Sequence, residues 1–154
     1  MKKVLIAYFS QTGNTEKMAE YIAEGVRFSG QGAVVKKIGD IKDAAELAGY
    51  DGYIFGSPTY SLDVPKPVKT FLSMGEKLNL KGKIGGAFGS YAHDVSYKHD
   101  AYAPAIIFDT LKNEHKMKPF ELGPFNLKEE IVETSEGMKT CQDYGRVFGE
   151  KLGS

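Results

Sequence analysis

The chain contains a single cysteine, Cys141, so it cannot form an internal disulfide. A disulfide-stapled scaffold is excluded, and stability must come from an apolar core. A lone thiol also fits a reducing cytoplasm. Charge of one sign is not in excess: 20 Lys and Arg balance 20 Asp and Glu, for a formal net charge of +0. So balanced a chain offers no basic field to nucleic acid or to an anionic membrane surface. Long hydrophobic runs are missing too. The apolar stretch near the N-terminus, Val4-Leu5-Ile6-Ala7-Tyr8-Phe9, is too short to span a bilayer. It runs into Ser10-Gln11-Thr12 rather than a small-residue cleavage site, so no signal peptide and a cytoplasmic location are expected. His99 and His115 lack ligating neighbours at usable spacing, and no metal site is expected.

What is present is ordinary globular material. With 154 residues, 42% apolar and 26% charged, the chain is large enough for one core, and a single domain over 1–154 is expected. No repeat, linker or low-complexity run divides it. Strand and helix signals alternate throughout. Residues 3–9 are almost continuously apolar, as a strand buried on both faces requires. From Asn14 to about Ser29, Met18, Ala19, Ile22, Ala23 and Val26 share one helical face, and Gly30 and Gly32 end it. Further strands are predicted at 33–38, 53–55, 83–88 and 118–122, with a helical turn or two at 43–48. Helices are predicted from Pro65 to about Met74, from Pro104 onward with Ile106, Ile107 and Leu111 free to pack, and over 135–152. The stripe of the last helix is Cys141, Tyr144, Phe148 and Leu152. Such alternation implies an α/β fold: a doubly wound five-stranded parallel sheet, order 2-1-3-4-5, with helices on both faces. These sheets bind ligands beyond the carboxyl ends of their strands, here where the winding reverses between strands 1 and 3.

Three loops fall at that rim. The first, Ser10-Gln11-Thr12-Gly13-Asn14-Thr15, joins a strand to a helix N-terminus. Unpaired amides of a first helical turn, the helix dipole, three hydroxyls and a glycine together make a phosphate nest without a cation. Neither the P-loop pattern G-x-x-x-x-G-K-[ST] nor the dinucleotide pattern G-x-G-x-x-G is met, because Glu16 follows Thr15 and the loop has one glycine. A single terminal phosphate on a small cofactor suits it better than a triphosphate or pyrophosphate. The competing reading is a plain N-cap by Asn14 or Thr15. The second loop is Gly56-Ser57-Pro58-Thr59-Tyr60-Ser61-Leu62-Asp63 and the third Gly89-Ser90-Tyr91-Ala92-His93-Asp94. Aromatics on two neighbouring loops beside a phosphate nest describe a slot for a flat conjugated ring. Against this, Tyr60 could fold onto the surface and Tyr91 could face the core.

Ser-Gln-Thr-Gly-Asn-Thr at 10–15, Gly-Ser-Pro-Thr-Tyr at 56–60 and Phe-Gly-Ser-Tyr at 88–91 resemble the loops of the flavodoxins, of the short-chain kind. They are similar also to the flavodoxin-like domain of flavodiiron proteins. The resemblance covers essentially the whole chain and implies non-covalent FMN. It implies that Ser10, Gln11, Thr12, Gly13, Asn14 and Thr15 hold the phosphate. Pro58, Thr59, Tyr60 and Ser61 would border one side of the isoalloxazine, and Gly89, Ser90, Tyr91, His93 and Asp94 the other. An electron carrier is implied, moving one or two electrons with no catalytic residue of its own. Its partners would be transient redox proteins met through a small interface, and a monomer is expected. The alternative on the same fold is an NAD(P)H-dependent FMN or quinone reductase, which needs room over the flavin for a nicotinamide.

Three departures from the family pattern matter. Ala92 and His93 stand where close relatives often have Gly-Trp, so His93 or Tyr91 takes the stacking place or that face is more open. Ser61 stands where relatives often have glycine. A peptide that must turn over there on reduction does so at greater cost, because serine tolerates positive φ less well. The neutral net charge replaces the strong acidity of many flavodoxins, so the lowest potential is expected to be less extreme. A redox titration is expected to show little accumulation of half-reduced flavin; a large, persistent fraction would overturn the Ser61 argument. A charged His93 near the ring would make the potential pH-dependent, whereas a solvent-exposed loop histidine would not. Replacing His93 with Phe separates these readings, since only the first predicts a changed pH slope.

Overall fold

Val4 to Tyr8 are buried on both sides, and that decides where the first strand lies. In the computed structural model, which describes residues 1–59, 64–92 and 102–154, β1 (Lys3–Tyr8) sits inside a five-stranded sheet. Its neighbours are β2 (Gly32–Lys37) and β3 (Gly52–Gly56); β4 (Ile84–Tyr91) and β5 (Lys118–Lys128) follow. The order is β2-β1-β3-β4-β5 and every pairing is parallel, as the alternation predicts. Burial explains the order. β1 and β3 are almost wholly apolar and lie inside, whereas β2 and β5 carry mixed sequences and form the edges.

Side chains alternate between two cores because successive residues of a strand point to opposite faces. Val4, Ile6 and Tyr8 face α1 (Asn14–Phe28) and α5 (Ser135–Gly153). Leu5, Ala7, Tyr53 and Phe55 face α2 (Lys66–Met74) and α3 (Ala103–Asn113). Cys141, Tyr144 and Phe148 are buried in the first core, with Leu152 partly buried against it. Burial pushes the Cys141 thiol up to about 12. Helices α1 and α5 lie so close that a Cβ at Gly25 would run into the Gln142 carbonyl, and one at Gly145 into the Ile22 carbonyl. Among the described residues no helix is long and apolar enough to cross a membrane.

The C-terminal half of the sheet departs from the sequence reading. β4 runs on to Tyr91 rather than ending at Phe88, and β5 to Lys128 rather than Leu122. The pairing of β5 jumps from Pro119 opposite Gly85 to Pro124 opposite Ala87. Gly123 takes a left-handed φ of 73°, and Pro124 has no N–H to give. The Tyr144 hydroxyl fills the break: it accepts from Ala87 N at 3.2 Å, with the Ala87 and Gly123 carbonyls at 3.2 and 3.1 Å as acceptors for its single proton. Glycine and proline at that point hide the strand's continuation from any periodicity argument. A short helix, α4 (Glu129–Val132), also goes unpredicted, and 43–48 reduces to a 3₁₀ turn, Ala44–Leu47, closed by an Asp43–Glu46 capping box. His115 is not idle: it is buried, with Nε2 3.0 Å from the Leu72 carbonyl, tying the end of α3 to α2.

Gly145→Ala is expected to cost about 1–3 kcal/mol by overpacking, read as a lower urea midpoint with an unchanged denaturant slope. Cys141 should resist a thiol reagent at neutral pH in the folded protein and react fully once unfolded, because the thiolate is suppressed and covered.

Candidate functional site

The sheet delivers three chain segments to one rim. Tyr8 pairs with Gly56, and Gly56 with Phe88, so β1, β3 and β4 reach that rim at the same height. Backbone bonds carry the pairing a step further: Phe9 N donates to Gly56 O at 3.0 Å, Ser57 N to Phe88 O at 3.1 Å and Thr59 N to Ser90 O at 3.0 Å.

After β1 the chain makes a tight turn. Ser10 Oγ accepts from Gly13 N at 3.1 Å, and Thr12 Oγ1 accepts from Asn14 Nδ2 at 3.2 Å. Gly13 stands at φ 92°, ψ −10° and caps α1 with no side-chain bond, so the N-cap by Asn14 or Thr15 is not what forms. A Cβ on Gly13 would meet nothing within 4 Å, so glycine is needed there for its left-handed backbone rather than for space. The N–H groups of Asn14, Thr15 and Glu16 start the helix without intrahelical acceptors. Gln11, Thr12 and Gly13 are exposed; Asn14 is half-buried and Thr15 is 1% exposed. Lys17 turns away, its Nζ 5.8 Å from the Tyr21 ring centroid. Glu16 accepts from the Tyr8 hydroxyl at 3.0 Å. Burial and then that bond hold the Tyr8 phenol far above its usual range.

The other two loops are described in part. Ser57 is fully buried, its hydroxyl donating to Pro58 O at 2.8 Å, and Pro58 is buried beside it. Thr59 Oγ1 accepts from Ala103 N at 2.9 Å, so this hydroxyl anchors the start of α3. Gly89 is buried, with the Ser57 carbonyl where a Cβ would sit. Ser90 is 1% exposed, and its Oγ lies 3.0 Å from Thr15 Oγ1, joining the first loop to the third. The Tyr91 ring packs 5.0 Å from that of buried Tyr102. Tyr60, Ser61, His93 and Asp94 lie outside the described residues.

At this rim the sequence reading misses the burial of one residue and the place of another. Ser57 sits inside the second loop, fully buried beside the proline, and burial has no sequence signal there. Asn126 lies opposite Gly89, and its Oδ1 is buried with no hydrogen-bond partner among the described residues. It is invisible to a reading that ends the strand at 122. An N-terminus of a 15-residue helix, three hydroxyls and no carboxylate in the turn itself fit a phosphate ester, and an orphaned acceptor at the same rim fits a ligand carrying hydroxyls. Gly13→Ala is expected to destabilise the fold by about 1 kcal/mol through backbone strain alone, measurable as a shift in the denaturation midpoint.

Known proteins share this arrangement. The flavodoxin domain family model matches residues 5–125. A flavodoxin of Clostridium saccharobutylicum is 39% identical over 157 residues, covering 97% of this chain and 94% of its own. The solved structure of an archaeal flavodoxin superposes with a TM-score of 0.86 at 27% identity over 99% of both chains. Flavodoxin 2 from Bacillus cereus gives 0.78 at 29%, covering 97% of this chain and 99% of that one. The sheet order agrees with the match across the chain, which belongs to the flavodoxin family.

Proposed function

We propose that this chain is a single FMN-binding domain over 1–154 that works as an electron carrier, holding FMN non-covalently. The observation that carries the reading is the cation-free turn of 10–15, with left-handed Gly13 and the start of α1 behind it. Ser10, Gln11, Thr12, Gly13, Asn14 and Thr15 hold the phosphate through amides and hydroxyls. The segment from Pro58 to Ser61 and the segment from Gly89 to Asp94 border the ring system. When bound, FMN supplies the one- or two-electron chemistry. The chain binds it, orients it and excludes water from its inner face.

Hydrogen bonds to a charged group are worth about 1.5–3 kcal/mol each, and a helix N-terminus about 0.3–1 kcal/mol at an exposed site. Directed donors therefore outweigh the dipole, and the geometry of the turn matters more than the length of α1. With a net charge of +0, docking to transient redox partners rests on local patches rather than on whole-molecule attraction. A cytoplasmic monomer is the working form.

Protein incubated with excess FMN and passed through gel filtration should retain one flavin per chain and elute as a monomer; colourless protein overturns the reading. Anaerobic NADH or NADPH alone should leave the flavin oxidised, while a flavoprotein reductase with NADPH should reduce it. Rapid bleaching by the nucleotide alone would identify an NAD(P)H-dependent reductase instead.

A further inference from the structure

Ser90 belongs by sequence to the loop assigned to the ring, yet its hydroxyl is turned to the other end of the site. Ser90 and Thr15 are both 1% exposed, and their hydroxyl oxygens lie 3.0 Å apart. They come from strand and helix segments 75 residues apart in the chain. Either hydroxyl can donate in this pair. Each has one proton and two lone pairs. If Thr15 donates to Ser90, Thr15 has no proton left for anything else. If Ser90 donates to Thr15, the Thr15 proton is free to point out of the pair. An anion over the first turn of α1 accepts protons and gives none, so its presence selects the second arrangement.

We infer that Ser90 is a positioning residue for the phosphate: it donates to Thr15 Oγ1 and so directs the Thr15 hydroxyl proton to the phosphate oxygen of the flavin nucleotide. This rests on the FMN reading above and refines it, because it moves Ser90 from the ring to the phosphate. The backbone supports the assignment. Ser90 O accepts from Thr59 N at 3.0 Å and Ser90 pairs with Leu127 across β4–β5, so the residue is held on both sides while its hydroxyl alone reaches Thr15. Burial keeps water from replacing that donor.

The test compares two ligands that differ only in the phosphate, FMN and riboflavin, by fluorescence-quenching titration of the wild type, Ser90→Ala, Thr15→Val and the double variant. Ser90→Ala should weaken FMN about tenfold, the size of one ordinary hydrogen bond, and leave riboflavin affinity within about twofold. In the Thr15→Val background, adding Ser90→Ala should change FMN affinity no further, the signature of two residues acting through one contact. The ³¹P resonance of bound FMN should shift in Ser90→Ala and be the same in Thr15→Val and the double variant. Equal losses of FMN and riboflavin affinity in Ser90→Ala would assign Ser90 to the ring or to folding and overturn the inference. Additive effects of the two substitutions would overturn it as well. Wild-type protein that binds riboflavin as tightly as FMN would instead refute the phosphate site, and wild-type protein that binds neither would refute the FMN reading itself.

Discussion

The row Tyr8–Gly56–Phe88 sets the level at which everything else happens. Parallel hydrogen bonding fixes it across β1, β3 and β4, and two-sided burial prevents slippage, since a one-residue shift would turn every side chain to the wrong core. Gly56 has no side chain because the Phe88 ring occupies that space. Beyond this row β1 gives way at Phe9 and β3 at Ser57 while β4 runs on to Tyr91, and the three segments are tied to one another by backbone bonds. Among the described residues the candidate site is therefore tied to strand ends, which is what holding a ligand in one orientation demands.

Neutrality of the whole molecule shapes the chemistry. The turn at 10–15 itself carries no lysine or arginine and Lys17 lies over Tyr21, so an anion proposed there would be met by dipoles and hydroxyls of the turn. Such a site is selective for shape and for acceptor oxygens rather than for charge alone. Glu16, in the first turn of the helix, is engaged by the Tyr8 hydroxyl. That bond fixes where the carboxylate lies relative to the loop.

The interior of the fold is legible in the chain because burial leaves a periodic trace. The runs at 3–9 and 53–55 and the stripe of α1 are recovered nearly to the residue. The failures share a cause. The break in β5 at Gly123-Pro124 looks like a strand end, yet Tyr144 from another helix bridges it. Thr59 reads only as a residue of the rim loop, yet its hydroxyl oxygen also accepts from Ala103 N in a distant segment. In both, a partner far along the chain overrides the local signal.

The sequence by itself determined the strand order, the turn at 10–15 and the family, because these rest on local patterns: apolar periodicity, a glycine able to turn left-handed, and hydroxyls spaced along one loop. Only the tertiary structure decided that Ser57 is fully buried, that Asn126 reaches the same rim and that Ser90 faces Thr15. Those facts depend on pairing between distant strands, on an irregular register, and on which side of a strand a hydroxyl emerges once the sheet is built.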